Sequence, residues 1–409
     1  MGSSMKPGYL HNSSIARKLF RKFNLPNRKT QINDLPLPQL FEIEPINVCN
    51  LRCTMCHCSF IKSLEVQYIT PQLINKLDGL KGKWVKIGSN FEPLMHPEFI
   101  KMINMLSAMD CKIDLTTNGT LLSKNTTDQI ADSNIKNITI SFDSIQKHTY
   151  EKIRRRSKFE SIIEKLTYLS GKLSEIEFFV AINTVLCRSN IDDLIELIEY
   201  LEDKKFHQLR LIFMVVRSLG NDLFGKNDLL QESLYPFREY AFQKLDEAAK
   251  YVIQNRLMIT LNSPYYNISK LKETYPRNII KNIVKSDNPL ALDYFNPGHY
   301  YQIGSYPGMR IDCKSPFTFA KILFNGDVQL CYQYNIGNLN QKHFEDIWYG
   351  KEAQRIRQKI LSDVSICKNC DYYRFCLNSS KIDVNNKNNY FQQDLIEEAK
   401  FLWSDQPAA

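Results

Sequence analysis

Short apolar and β-branched runs recur at 41–44, 84–87, 112–115, 138–142, 177–182 and 209–213. Between them, apolar positions fall at three- and four-residue intervals over 97–109, 124–132, 148–169 and 191–202. The first pattern predicts strands and the second amphipathic helices. Their alternation in series predicts an α/β fold with a parallel sheet and crossover helices. Periodicity leaves an open doubly wound sheet and a partial barrel equally available. In both, reactive groups belong at the carboxyl ends of the strands. Past residue 220 the pattern loosens. A helix over 234–254 and a strand over 257–261 precede a Tyr-, Asn- and Pro-rich stretch, 263–307, read as a linker or substrate-facing insertion. No internal repeat or low-complexity block interrupts the chain.

Composition narrows the class. With 409 residues, 43% hydrophobic and 24% charged, the chain can bury a substantial core, which excludes disordered and fibrous classes. The formal charge of +9 is modest for this length. It suits an acidic or phosphate-bearing partner without requiring one, and it is weak ground for nucleic acid. The basic segment 17–23 reads as a short solvated helix. No apolar run reaches the roughly 18 residues a membrane span needs, and the amino terminus lacks the layout of a secretory signal. A cytoplasmic location is therefore expected. There, closely spaced cysteines are more often metal ligands than disulfides, and eleven of them cannot all pair.

Those cysteines form two groups. Cys49, Cys53, Cys56 and Cys58 crowd into ten residues just after the first strand, whereas Cys313, Cys331, Cys367, Cys370 and Cys376 gather near the other end. Cys49, Cys53 and Cys56, spaced four and three apart, can converge on one metal centre. Three thiolates are one short of the four that ordinarily hold an iron–sulfur cluster. A centre short of one protein ligand is open to substrate, as in catalytic zinc sites. Zinc, with His57 or Cys58 as fourth ligand, is the alternative, although residues directly following Cys56 seldom wrap back onto the same metal.

In this context the sequence resembles the radical S-adenosylmethionine superfamily, whose signature is CxxxCxxC after the first strand of a partial (β/α)6 barrel. The resemblance implies a [4Fe–4S] cluster on Cys49, Cys53 and Cys56, with S-adenosylmethionine on its fourth iron. Gly88-Ser89-Asn90-Phe91-Glu92-Pro93 is similar to the family's GEP element, which implies that Glu92 meets the methionine ammonium. One glycine of the usual pair is displaced. Thr116-Thr117-Asn118-Gly119 resembles the TNG turn and Ser141-Phe142-Asp143 the SLD segment, so Asn118, Ser141 and Asp143 join the cosubstrate site. Arg154, placed in the first turns of the next helix, would hold the methionine carboxylate. Taken singly, Glu92 reads as a loop charge, Ser141 and Asp143 as helix caps, and Arg154 as part of the run 154–156. Their succession at four strand ends after CxxxCxxC is what favours the shared role.

Around Cys331, residues 324–331 read as a β-hairpin with an Asn-Gly turn. Cys367, Cys370 and Cys376 follow in a CxxCx5C arrangement, a spacing that zinc sites also use. The stretch 310–380 resembles the SPASM/twitch extension of the same family. The full pattern needs a further cysteine where Ser380 stands, which leads to an expectation of one auxiliary [4Fe–4S] cluster, on Cys313, Cys331, Cys367 and Cys370. Cys376 is an alternative ligand, and a second cluster is the variant. The expected organisation is a basic segment (1–35), a barrel core (36–220), a barrel end and insertion (221–309), a SPASM/twitch domain (310–380) and a tail (381–409).

The resemblance implies an enzyme that cleaves S-adenosylmethionine to a 5′-deoxyadenosyl radical, with a reducing partner such as flavodoxin or ferredoxin. An auxiliary cluster suits oxidation of the substrate by accepting its electron. Cys187, just past the fifth strand, is a candidate hydrogen donor, against the plainer reading of a small hydrophobe in a loop. The forty residues before the first strand are short for a leader-binding domain, which favours a carbohydrate, a small metabolite or a peptide recognised without one. The alternatives are a peptide maturase performing crosslinking or epimerisation, and a non-catalytic iron–sulfur carrier.

Overall fold

The computed structural model describes residues 35–38, 40–59, 65–77, 79–175, 178–213, 232, 234, 237–262, 315–330 and 334–362. Cys313, Cys331, Cys367, Cys370, Cys376, the segment 17–23, the aromatic insertion and the tail lie outside the described residues.

Ten strands form one sheet in the order β10-β9-β8-β1-β2-β3-β4-β5-β6-β7. The first seven are β1 (Leu40–Ile43), β2 (Trp84–Ile87), β3 (Lys112–Thr117), β4 (Ile135–Ser141), β5 (Phe179–Leu186), β6 (Gln208–Phe213) and β7 (Thr260–Asn262). All pair in parallel with their sequence neighbours. The helices between them are α1 (Pro71–Ile74), α2 (Phe99–Ala108), α3 (Lys124–Ala131), α4 (Lys147–Ile153), α5 (Phe159–Lys172), α6 (Leu194–Asp203) and α7 (Arg238–Gln254). A doubly wound sheet reverses its strand order at a switch point within its βα units, whereas β1 to β7 run in unbroken order. With right-handed crossovers, unreversed order puts every helix on the same face, which is barrel construction. The strand order thus decides what periodicity left open. β7 adds a seventh parallel strand to the expected six.

Side chains alternate accordingly. Phe41, Ile43, Val85, Ile87, Ile113, Leu115, Ile138, Ile140, Leu209 and Leu211 join one continuous apolar core with the helices. The opposite, inner face carries the intervening polar positions.

The sheet continues past the expected core boundary. After α8 (Ser315–Thr318), β8 (Phe319–Ile322) pairs in parallel with β1, and β9 (Asp327–Gln329) and β10 (Asn335–Asn338) add an antiparallel meander. The hairpin therefore begins earlier than its sequence suggested, its turn closing at Gly326 (φ 86°), a left-handed conformation that glycine adopts freely. α9 (Phe344–Trp348) and α10 (Lys351–Ser362) follow. Phe344 packs on Phe41 with ring centroids 5.1 Å apart, which ties this segment to β1.

The helix expected over 148–169 is broken. α4 stops at Ile153 and α5 starts at Phe159, with Arg156 at φ 73° between them. Ser157 bonds Tyr150 hydroxyl to hydroxyl at 2.9 Å, and Phe159 N–H donates to Glu151 Oε1 at 2.9 Å, so both sides of the break are tied down.

Candidate active site

The helix break supports the cluster loop. Carbonyls at a helix carboxyl end have no partner within the helix. Here Ile153 O accepts from Thr54 N–H at 2.9 Å and Arg155 O from Arg52 N–H at 3.0 Å. The CxxxCxxC loop hangs on α4 through these bonds, and Arg52 Nη1 closes it internally on Cys49 O at 2.6 Å. Arg154 thus caps the end of α4 rather than opening a helix.

That position turns Arg154 inward. Its Nε donates to Asp143 Oδ2 at 2.5 Å, and Nη1 lies 3.7 Å from Cys53 Sγ. Arg154 and Asp143 are both buried, at 7% and 1% exposure. Burial opposes the charge on Arg154, but the anions of Asp143 and Cys53 outweigh it and raise its affinity for the proton. Asp143 Oδ1 also accepts from Val185 N–H at 2.8 Å, which fixes the carboxylate on β5. Asp143 is a positioning group for Arg154, not a helix cap. Ser141 ends β4 half-buried, beside its register partner Asn183.

Glu92 is built differently. It sits 2% exposed in the loop after β2. Oε1 accepts from Thr117 Oγ1 at 2.7 Å and Leu94 N–H at 3.1 Å, and Oε2 from Asn118 N–H at 2.7 Å. Burial pushes its carboxyl up to about 7 against these bonds. No lysine or arginine forms an ion pair with it among the described residues. The loop is set by Gly88 at φ 78°, where a Cβ would come within 2.6 Å of Thr116 O. The displaced glycine therefore leaves the turn intact.

Asn118 joins the two halves. Its Nδ2 donates to Asn50 Oδ1 at 2.9 Å and lies 3.8 Å from Cys49 Sγ, while Asn50 Nδ2 donates to Thr120 Oγ1 at 2.8 Å. Cys49 and Cys53 thus each face a side-chain donor. The hydrogen bond from Cys58 brings the Cys49 thiol down to about 7, whereas burial pushes Cys53 up to about 12. Among the described residues, no three His, Cys, Asp or Glu side chains converge as a single-ion site.

One feature escaped the sequence. The short 3-10 turn His57–Ser59 does bring Cys58 back onto the cluster loop. There its thiol bonds Cys49 and Cys56 and donates to Asn90 O at 3.3 Å. Cys187 is buried behind β5, with burial and the nearby Glu232 keeping its thiol protonated.

Profile comparison places the Radical SAM superfamily over residues 43–201 and the SPASM iron–sulfur cluster-binding domain over 313–371. The chain carries a radical SAM domain and a SPASM domain. It is a radical SAM enzyme, with a [4Fe–4S] cluster and S-adenosylmethionine as cofactors and a SPASM domain for auxiliary iron–sulfur binding. The AdoMet-dependent heme synthase of Methanosarcina barkeri is 20% identical over 346 residues, covering 83% of this chain and 90% of that protein. GTP 3′,8-cyclase of Chlorobaculum tepidum is 27% identical over 173 residues, but the match spans 41% of this chain and half of that protein. Among solved structures, Streptococcus suis SuiB bound to S-adenosylmethionine superposes with a TM-score of 0.56 at 16% identity, over 84% of this chain and 77% of that one. Native anSMEcpe with bound AdoMet gives 0.53 at 18%, over 90% and 98%. These likenesses establish the fold. No helix among the described residues is long and apolar enough to cross a membrane.

Proposed function

We propose that Cys49, Cys53 and Cys56 hold the catalytic cluster and that Glu92, Asn118, Ser141 and Arg154 bind S-adenosylmethionine, with Asp143 positioning Arg154. When bound, the cluster supplies the electron that cleaves S-adenosylmethionine, and the 5′-deoxyadenosyl radical takes a substrate hydrogen. Substrate oxidation is the outcome that an electron-accepting auxiliary cluster serves, its ligands drawn from Cys313, Cys331, Cys367 and Cys370, with Cys376 in reserve. The substrate is a carbohydrate, a small metabolite or a peptide, and a reductant such as flavodoxin or ferredoxin feeds the cluster. Peptide modification is the second reading, since SuiB, of the same fold, is solved bound to precursor peptide SuiA.

One observation carries this reading. Glu92 is a buried carboxylate with three hydrogen-bond donors and, among the described residues, no cation, and its donor Asn118 also reaches Cys49. A buried anion needs a counter-charge, and the ammonium of S-adenosylmethionine supplies one. An electron carrier has no use for such a site. Anaerobically reconstituted protein reduced with dithionite should release 5′-deoxyadenosine, and Cys53→Ala should not. Equal product from both would overturn the assignment. Deuterium carried from a labelled substrate into 5′-deoxyadenosine identifies the substrate.

A further inference from the structure

The inner face of the sheet is charged where a barrel ordinarily packs branched apolar side chains. Glu42, Lys86, Asp114 and Asn137 are successive register partners across β1 to β4, and Lys321 of β8 partners Glu42 from the other side. Lys321 Nζ lies 2.7 Å from Glu42 Oε1, and Lys86 Nζ 3.4 Å from Glu42 Oε2. Burial opposes ionisation of Glu42, yet the two lysines hold its carboxyl well below the usual range. Asn137 Nδ2 donates to Asp114 Oδ2 at 3.0 Å, and Arg210 of β6 provides Asp114 with a countercharge.

One level nearer the cluster loop stands Glu44, fully buried. Its Oε1 accepts from the Ser89 hydroxyl and from Asn90 N–H at 2.9 Å, and faces Lys321 Nζ at 3.4 Å. Its Oε2 accepts no hydrogen bond among the described residues. A buried acceptor left without a donor is costly, and a fold keeps one where something else fills it. The position is close to the cysteines. Glu44 precedes Cys49 by five residues, and Asn90, its donor, accepts the Cys58 thiol. Ser89, whose hydroxyl donates to Glu44, is exposed.

The charges narrow what would bind. Lys86, Arg210 and Lys321 face Glu42, Glu44 and Asp114, three cations to three carboxylates. A charged ligand would break that balance in a buried setting, whereas an uncharged donor fills Oε2 and leaves it intact. We propose that Glu44 Oε2 is a substrate-binding acceptor, taking a hydroxyl or amide N–H of an uncharged, hydroxyl-bearing substrate held against the inner face. This rests on the reading that the adjacent cysteine loop is the reaction centre.

The test uses one ring in different charge states. Glucose, N-acetylglucosamine, glucosamine and glucose 6-phosphate are titrated against the reconstituted enzyme with S-adenosylmethionine present. A neutral sugar should bind about tenfold more tightly than the charged ones. Glu44→Gln leaves the patch one positive charge in excess and should move the neutral-to-phosphate affinity ratio about tenfold toward glucose 6-phosphate. A ratio within one variant does not depend on how much protein folds. Ser89→Ala, which loosens Glu44 without changing charge, should weaken the neutral sugar and leave that ratio in place. Preference of the wild type for a charged sugar, binding of no neutral sugar, or an unmoved ratio in Glu44→Gln would each overturn the proposal. Release of 5′-deoxyadenosine by the wild type without sugar scores the cluster reading separately.

Discussion

Two buried carboxylates flank the cysteine loop, and they are finished differently. Asp143 has its cation within the chain, because Arg154 binds it at 2.5 Å. Glu92, equally buried, has only neutral donors among the described residues, and burial raises its carboxyl to about 7. The first is a completed ion pair that aims a guanidinium at Cys53. The second is a half-pair, which on the proposed reading the ammonium of S-adenosylmethionine completes. A site that binds a zwitterionic amino-acid moiety needs this asymmetry. Were both carboxylates paired internally, nothing would attract the ammonium, and were both unpaired, the cost of burial would fall on the fold.

Breaking the completed pair should cost most. Arg154→Met leaves Asp143 buried without its cation, and removing one partner of such a pair typically costs about 3–5 kcal/mol. Chemical denaturation of the apo-protein should show it, and a loss below about 1 kcal/mol would mean that the pair is not what holds Asp143 there. Glu92→Gln takes a different profile. It removes no internal ion pair but leaves at least one of the three donors without an acceptor. Stability should therefore fall by about 1–3 kcal/mol, less than for Arg154→Met. S-adenosylmethionine should bind more weakly by about 1.5–3 kcal/mol, as for a lost hydrogen bond to a charged group. Equilibrium binding alongside unfolding separates the two effects, and a variant that unfolds while binding normally would reverse the comparison. Gly88→Ala strains the loop carrying Glu92, through a left-handed φ and a backbone carbonyl 2.6 Å from the new methyl. A loss of about 1–3 kcal/mol in stability is expected.

This asymmetry was only half legible in the sequence. Spacing placed Cys49, Cys53 and Cys56 after β1, whereas Glu92, Asn118 and Asp143 were singled out by the resemblance of 88–93, 116–119 and 141–143 to the family's strand-end elements. The break at 154–158 left one trace that the single-helix reading passed over. Tyr150 and Ile153, and then Phe159 and Ile162, each keep a three-residue interval, but six residues separate Ile153 from Phe159, although neither glycine nor proline marks the gap. Only the tertiary bonds from Arg52 and Thr54 show why the helix stops. The inner-face charges had a signal that went unused. Glu42, Glu44, Lys86, Asp114, Arg210 and Lys321 alternate with core residues along their strands, and a strand buried on both faces should not carry them. Cys58 was discounted on local geometry, which the turn at 57–59 overrides.

The gentlest probe of the half-pair is pH. The Glu92 carboxyl is raised from 4.5 to about 7 by burial, so between those values the folded protein holds a proton that the unfolded chain has lost. Its contribution to stability therefore declines as pH rises from about 4.5 to 7, the reverse of the usual salt-bridged carboxylate. Ligand binding runs the other way. An ammonium favours the ionised carboxylate, so below pH 7 S-adenosylmethionine must expel a proton to bind. Affinity should fall about tenfold from pH 8 to pH 6, with close to one proton released per molecule bound at the lower pH. Cys49 also titrates near 7 in the metal-free protein, so the measurement belongs on the cluster-loaded enzyme, where that thiolate is engaged. Isothermal titration in buffers of different ionisation enthalpy counts the protons directly. Glu92→Gln should flatten the profile and abolish the release. A slope that survives in Glu92→Gln would assign the proton to another group and remove the argument for an ammonium at Glu92.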